Sequence, residues 1–561
     1  MKRVFAILLI LAVLASLVAC TAASNGSTPT QTTPSIPTTQ TTPDTNPAGK
    51  YPLDMERNEV IINDAGHISA DNAGNARVYY QIFVGSFSDS NGDGIGDLRG
   101  IIERFDYLND GDPNSGVSLG VEGIWLSPIF ASPSYHKYDA TDYYQIDAKF
   151  GTMDDLKELI DLCHSRNVQI ILDLVINHSS RTNPWFQNFV EAHVNGNTEN
   201  EYYDFYSWAE EKKGGATYNR INGTNHFYEC NFSTDMPELN YDNPKVRQAM
   251  VDLAKFYLDL GVDGFRFDAA KYIYYGDEPR NIQFWEWYMS ELRAIKPDIY
   301  TVAEVWSADG AVIPYNSSTN CFNFSMSQAE GKVASTAAGG NVNAYTKYIQ
   351  NYLQQIQSQR ADAMLMTFIA NHDMDRAAGF LTVASGRAYV AANLSILTPG
   401  SPYIYYGEEI GMLGSRGGSN TDANRRLAML WGDGDTVKNP VGANYGGKQS
   451  NGTVVDQLSN EKSLYNHYKK LIMIRKANPE IAYGTFQAVT GSSSKVGGFL
   501  STYEGKTVMV LHNTTTEAVT LDISKLTDIS FETLAAYVGL GVATLEGNTL
   551  TIDGQTSVVL R

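Results

Sequence analysis

Short apolar runs alternate along the chain with longer segments whose apolar positions recur every three or four residues. VYYQIFV, GVEGIWLSPIF, NVQIILDLVINH, GVDGFRFD and IYTVAEVW lie between residues 78 and 306, each a β-branched or aromatic stretch bounded by polar residues or glycine. Such runs predict strands buried on both faces, as in a parallel sheet. Between them MDDLKELIDLCHSRN (153–167) and PKVRQAMVDLAKFYLDLG (244–261) carry the amphipathic spacing of helices, with acids early and cations or glycine late. CFNFSM near 321, AMLMTFIANHD near 363 and SPYIYYGEEIGM near 401 bring the predicted strands to eight. The class is therefore α/β. The natural closure is a (β/α)8 TIM barrel with its chemistry at the carboxyl ends of the strands, and an open doubly wound sheet is the alternative.

Two interruptions predict further domains. More than sixty residues rich in Asn, Tyr, Trp and Glu separate the third strand from the helix at Pro244, which predicts an inserted subdomain over 178–243 beside the active face. The barrel then occupies 51–177 and 244–484. Beyond 484 the helical spacing stops, and KVGGFLSTYEG, KTVMVLHNTT and SVVLR alternate with Gly, Asn and Thr turns. A C-terminal antiparallel β-sandwich over 485–561 is expected.

The amino terminus has a pattern of its own. MKRVFAILLILAVLASLVAC has a basic start, an apolar stretch and small residues before Cys20, the layout of an export signal over 1–19. Leu17-Val18-Ala19-Cys20 resembles a bacterial lipobox, which implies cleavage before Cys20 and lipid attachment to its sulfur. An uncleaved anchor is the alternative, although the apolar stretch is short for a span. Residues 20–50, dominated by Ser, Thr and Pro, can form no apolar face and read as a tether. The expected location is the outer face of the bacterial cell envelope, with the membrane touched only through the lipid anchor.

Composition narrows the partners. The 561 residues are 43% hydrophobic and 19% charged, as a globular protein requires, and the formal charge of -20 argues against nucleic acid, which needs clustered cations. The 34 tyrosines and 7 tryptophans suit a flat, hydroxyl-bearing ligand such as a sugar. Beside Cys20 only Cys163, Cys230 and Cys321 remain, which implies buried free thiols rather than a disulfide framework. A monomer is expected.

The candidate chemistry sits at predicted strand ends. In GFRFDAAKY (264–272) Arg266 and Asp268 share one strand face, while Phe265 and Phe267 take the other. A structural salt bridge is one reading; a carboxylate kept ionised by a guanidinium, as a nucleophile needs, is the other. Glu304 in TVAEVW closes the neighbouring fifth strand, and Asp373 in FIANHD closes the seventh. Three carboxyls on one rim suit glycosidic cleavage, with one anion attacking, one acid protonating the leaving oxygen and one stabilising the transition state. Val302, Ala303 and the other acids are expected to raise the pKa of Glu304.

These motifs resemble those of the α-amylase family, glycoside hydrolase family 13: DLVINH (173–178), GFRFDAAKY, AEVW and FIANHD, in that order. The resemblance implies a nucleophile at Asp268, an acid/base at Glu304 and a transition-state stabiliser at Asp373. It also implies sugar contacts from Tyr138, His178, Arg266 and His372, and from Lys271 to the adjoining glucose. Tyr272 stands where many members have histidine, and Tyr135 where exo-acting α-glucosidase relatives commonly have aspartate. MPELN (236–240) is similar to the MPDLN segment of oligo-1,6-glucosidase relatives, so the chain resembles the intermediate amylases. The expected activity is retaining, endo-acting hydrolysis of α-1,4 bonds in starch-like glucans. The alternatives are an α-glucosidase, cyclomaltodextrinase or transglucosidase acting on short α-glucans and, from another class, a catalytically dead glucan-binding barrel. All three acids are present, which speaks against the last.

A second motif, DSNGDGIGD (89–97), places Asp89, Asn91, Asp93 and Asp97 at alternate positions, with glycines allowing tight curvature. Oxygen ligands so spaced predict a hard cation, Ca2+, although a plain Asx-rich turn is the alternative. In relatives the same loop binds calcium, the resemblance adding the carbonyl of Ile95. It also implies a second calcium contact at Asn177, whose acidic partners the sequence does not identify.

Overall fold

In a computed structural model of the protein, residues 74–417 and 420–561 are described. The expected signal peptide, Cys20 and the tether lie outside the described residues.

Eight parallel strands form one sheet: β1 (Tyr79–Ile82), β2 (Gly123–Leu126), β3 (Gln169–Leu174), β4 (Gly264–Phe267), β5 (Tyr300–Ala303), β6 (Asn320–Cys321), β7 (Met366–Phe368) and β8 (Ser401–Tyr405). Pairing runs in sequence order from β1 to β6 and continues from β1 through β8 to β7. A parallel bridge from Phe322 to Met366 joins the two ends, and the Asn323 amide donates to the Met366 carbonyl at 3.0 Å. The predicted barrel is closed there. A Cβ added to Gly264 would stand 1.7 Å from the Tyr300 carbonyl oxygen, so glycine opens β4 where it lies against β5.

Strand periodicity sorts the side chains. Tyr80, Ile124, Leu126, Ile170, Leu172, Phe265 and Phe267 pack outward into the main core, whereas Tyr79, Trp125, Ile171, Tyr300 and Tyr403 form a second, inner cluster. Tyr79 stacks between Tyr300 and Tyr403, at ring separations of 4.7 and 4.9 Å. On the same alternation Asp173 and Arg266 point inward, and register places them as direct partners. The outer helices begin where their caps predict. Thr152 and Asp155 form a capping box before Met153–Ser165, and Asn243 caps Pro244–Asp259 with proline in the first turn.

The long interruption contains the helix Pro184–Val194 and a small antiparallel sheet of Trp208–Ala209, Tyr218–Arg220 and Phe227–Glu229. A bridge from His178 to Glu238 ties its end back to the segment after β3, and one from Tyr206 to Leu239 closes it on itself. Beyond the barrel, a five-stranded and a three-stranded antiparallel sheet enclose a core of their own. In the strand Lys506–Asn513, Met509 and Leu511 face that core, while Val508 and Val510 join the main core. The sandwich thus presses its other face on the barrel. Cys163, Cys230 and Cys321 are buried and free, and no described helix is long and apolar enough to cross a membrane.

Leu511→Ala should leave a hole between the two sheets and cost about 2–5 kcal/mol. Denaturant unfolding measures it. Turnover by the folded variant should equal that of the parent, because none of the residues that line the cleft on the barrel belongs to this C-terminal core.

Candidate active site

Arg266 is fully buried, and its side chain reaches three carboxyls at once. Nη1 donates to Asp173 at 2.8 and 3.0 Å and to Asp268 Oδ1 at 2.7 Å, while Nη2 donates to Glu304 Oε2. Strand register explains the convergence. Arg266 pairs with Asp173 on β3 and with Val302 on β5, which sets Glu304 one residue beyond the end of β5 and Asp268 one beyond β4. Ala269 then takes a left-handed backbone conformation, φ 49°, a strained one for a residue with a Cβ. That turn ends the strand immediately after Asp268.

Burial raises the carboxyls despite the cation. It pushes Glu304 up to about 7, with Arg266 opposing and Asp268 adding to the rise. Asp268 is pushed up to about 6 by the same loss of water, again against the pull of Arg266. One positive charge is divided among three buried acids and desolvation outweighs its share, so Asp268 lies above the ordinary carboxylate range while still ionising at neutral pH. Asp173 is likewise raised to about 6 by burial.

Asp373 differs. Burial acts against its charge, but the His372 ring beside it and the Arg426 and Arg266 guanidinium groups hold its carboxyl well below the usual range. Arg426 Nη2 donates to Asp373 Oδ1 at 2.6 Å, and Nε donates to the His372 carbonyl at 3.0 Å. His372 is kept neutral by burial. The Gln81 amide faces its Nδ1 at 2.8 Å, which leaves the proton on Nε2, 2.6 Å from the Tyr138 hydroxyl and 3.1 Å from Asp373. Tyr138 in turn donates to Asp173 at 2.9 Å and stacks on His372 at 5.4 Å. A continuous hydrogen-bonded chain therefore joins Asp373 to Arg266.

Asp268, Glu304, Asp373, Tyr138, His178 and Lys271 all line one cleft of ≈ 500 Å³, beneath which Arg266 and His372 lie buried. His178 is pushed down to about 4 by burial, and its Nε2 has no hydrogen-bond partner. A sugar hydroxyl would supply one. Lys271 Nζ donates to the Trp306 carbonyl at 2.6 Å, which fixes the ammonium on the wall. Trp306 and Phe232, 39% and 46% exposed, supply open ring faces beside the acids.

A model for the α-amylase catalytic domain matches residues 81–484. The chain belongs to the α-amylase family. It is 36% identical over 444 residues to "Alpha-amylase 3" of Dictyoglomus thermophilum, covering 78% of this chain and 84% of that one. An "Oligo-1,6-glucosidase" of Parageobacillus thermoglucosidasius is 30% identical over 526 residues, covering 78% and 89%. Among solved structures, "Eubacterium rectale Amy13B" superposes with a TM-score of 0.80 at 34% identity, over 87% of this chain and 95% of that one. Membership makes this an enzyme of the glycoside hydrolase and transferase family that acts on α-glucans.

Two residues of the cluster, Asp173 and Arg426, were not singled out from the sequence. Asp173 stands in DLVINH but gains its role only from the pairing of β3 with β4. Arg426 arrives from beyond β8, 53 residues after Asp373, with no local pattern to mark it. The Tyr135 hydroxyl accepts from Arg426 at 2.9 Å, so the residue standing in for an aspartate still meets a cation.

The 89–97 loop has donors of the kind a hard cation takes: carboxylates, an amide and the Ile95 carbonyl. Its inner oxygens are engaged by the loop itself. Asp89 accepts from the amides of Gly92 and Gly94, both at 2.7 Å, and from Thr436 at 2.6 Å; Asn91 accepts from Asp93 at 2.9 Å and Asp93 from Ile95 at 2.7 Å. Asp97 Oδ1 caps a helix through the Gly100 amide, and its Oδ2 accepts from Ser90. Among the described residues no three His, Cys, Asp or Glu side chains gather to hold a metal, so a cation here would draw on Asn91 and Ile95 as well as the acids. Near Asn177 stand two acids, Glu238 and Glu229. The buried Oδ1 of Asn177 has no partner, its side chain lends a hydrogen bond to Glu238, and Asn231 ties Glu238 to Glu229.

If catalysis uses an ionised Asp268 and a protonated Glu304, the site predicts a bell-shaped dependence of kcat/KM on pH. Activity should fall below about 6 and above about 7. Arg426→Gln, by withdrawing the cation from Asp373, should move the acid limb upward and lower kcat/KM by about tenfold or more. Stability gives a second readout. Glu304 binds its proton more tightly folded than unfolded, so its contribution is complete below 4.5 and is lost as pH rises through about 7. Glu304→Gln should therefore raise the thermal midpoint at pH 8 more than at pH 5.

Proposed function

We propose that the protein is a retaining, endo-acting α-amylase that hydrolyses α-1,4 bonds inside starch-like glucans. The observation that carries the reading is that Asp268 and Glu304 hang on the two arms of one guanidinium. Retaining glycosidases hold their carboxyls about 5–5.5 Å apart, inverting ones about 6.5–9.5 Å, and a shared guanidinium favours the shorter spacing. Asp268 attacks the anomeric carbon while Glu304 gives its proton to the departing oxygen. Water then enters, Glu304 takes a proton from it, and the bond from the sugar to Asp268 breaks with retention. Asp373 stays anionic beside the oxocarbenium-like centre because Arg426 and His372 hold it so. Interior cutting is supported by Tyr135, which stands where terminal-glucose readers commonly carry aspartate. The likeness to an oligo-1,6-glucosidase favours the alternative, hydrolysis of short α-glucans from the end.

A product time course on amylose separates the two. Random internal cuts with α-anomeric products are expected, and end-blocked maltooligosaccharides should release reducing sugar. Stepwise release of glucose would select the alternative; β-anomers would contradict retention, and no release from any substrate would remove hydrolysis altogether. Asp268→Asn should lower kcat roughly 10⁴-fold or more while glucan binding persists.

Two further expectations belong to the proposal. Ca2+ held by Asp89, Asn91, Asp93, Ile95 and Asp97 would stiffen the loop, and a second ion at Asn177 would use Glu238 and Glu229. Chelation should lower the thermal midpoint and calcium, but not magnesium, restore it; an unmoved midpoint would argue for a loop satisfied by its own Asx turns. A lipid on Cys20 would hold the enzyme to the cell envelope, and Cys20→Ala should then release it from the membrane fraction. Retention of that variant in the membrane would contradict the anchor.

A further inference from the structure

Three hollows follow one another along the face that carries the acids. The active cleft shares Lys271 and Tyr272 with a second of ≈ 300 Å³, whose far wall is Val305, Ser307 and Ala311. The second shares Tyr275, Gly276 and Asp277 with a third of ≈ 660 Å³, larger than the active cleft itself. The inserted subdomain forms one wall of this third hollow with Trp208 and Tyr218, and the segment after β4 forms the other with Tyr274 and Arg280.

The rings along this route are not used up by packing. Phe232 lies 4.6 Å from Tyr272, and Tyr272 stacks on Tyr275 at 5.4 Å, yet Phe232 and Tyr275 are 46% and 43% exposed. Rings in such a row offer flat faces to the C–H surfaces of successive sugar units. At the end of the row, the third hollow offers hydrogen-bonding groups. The Arg280 guanidinium lies 3.8 Å over the Tyr274 ring and pairs with Asp242, which sets a charged donor and a charged acceptor side by side. Adjacent hydroxyls of a sugar match that arrangement.

Direction follows from the chemistry. The second hollow is walled by residues that come directly after Glu304 in the chain, and Lys271 is bonded to the Trp306 carbonyl at the same edge. On the proposed roles, a group that receives the Glu304 proton would leave towards this edge. We propose that the third hollow is a remote subsite for the leaving-group arm of a long α-glucan, which reaches it from the active cleft across Tyr272 and Tyr275. The proposal rests on the glucan hydrolysis proposed above and adds to it a preference for long chains.

The test compares amylose with maltotriose, too short to reach from the acids to the third hollow. Arg280→Ala and, separately, Tyr275→Ala should raise KM for amylose by about tenfold, the effect of one lost charge-assisted contact, and leave kcat and the kinetics on maltotriose unchanged. Arg280→Lys should recover part of the loss. An unchanged ratio of amylose to maltotriose kcat/KM would overturn the proposal, and so would an equal loss on both, which would mark a structural role. Binding supplies a readout independent of turnover: in the Asp268→Asn background Arg280→Ala should weaken calorimetric binding of long maltodextrin about tenfold. Equal binding would again overturn it. A parent enzyme that cleaves neither substrate would instead contradict the proposed hydrolysis, so the two failures are distinguishable.

Discussion

One buried guanidinium governs the centre of this molecule. Arg266 enters the barrel because strand alternation turns it inward between two outward phenylalanines, and among the described residues nothing else within hydrogen-bond reach of Asp173, Asp268 and Glu304 carries a full positive charge. A cation in that position would be prohibitive without anions, and the anions would be prohibitive without it. Because there are more acids than the single charge satisfies, the cluster retains protons that isolated carboxyls would lose, and proton retention is what a general acid requires. Asp373 escapes this competition through a second guanidinium, Arg426, which comes from a different part of the chain. The two cations thereby separate Asp373, held well below the usual range, from the acids around Arg266, among which Glu304 keeps its proton to higher pH than Asp268.

The scaffold explains why the division can be so exact in space. β3, β4 and β5 are hydrogen-bonded in register, so the residues just past their ends emerge side by side whatever the loops do. The aromatic plug of Tyr79, Tyr300 and Tyr403 fills the barrel below and keeps water from entering there. The inserted subdomain, fastened at His178 and Glu238, walls the cleft on one side. Rigid strands thus position the acids, and longer loops shape the route by which a chain approaches them.

Much of this was legible in the sequence. Periodicity located all eight strands, and the residue types at their ends located the acids, because a barrel strand announces itself by a short apolar run and its functional residue by breaking that run. What stayed hidden depended on contacts between distant segments. Asp173 reads as one polar residue in a strand until β3 is paired with β4, and Arg426 sits in a stretch with no recurring pattern. Glu238 and Glu229, the acids beside Asn177, meet only because the inserted sheet folds back on the end of β3. The rise of Asp268 above the ordinary carboxylate range stayed hidden for a related reason: a neighbour two residues away is visible in a sequence, whereas the loss of water around both is not.

The most direct measurement of the central claim is a difference-infrared titration of the carboxyl C=O stretch, comparing the parent with Glu304→Gln. The account predicts that the parent-minus-variant difference contains a protonated-carboxyl band that titrates near pH 7, on top of the bands that other buried acids such as Glu408 leave in both proteins. Absence of that band from the difference at pH 5 would contradict it, for Glu304 would then be ionised and the single guanidinium would suffice for all three acids.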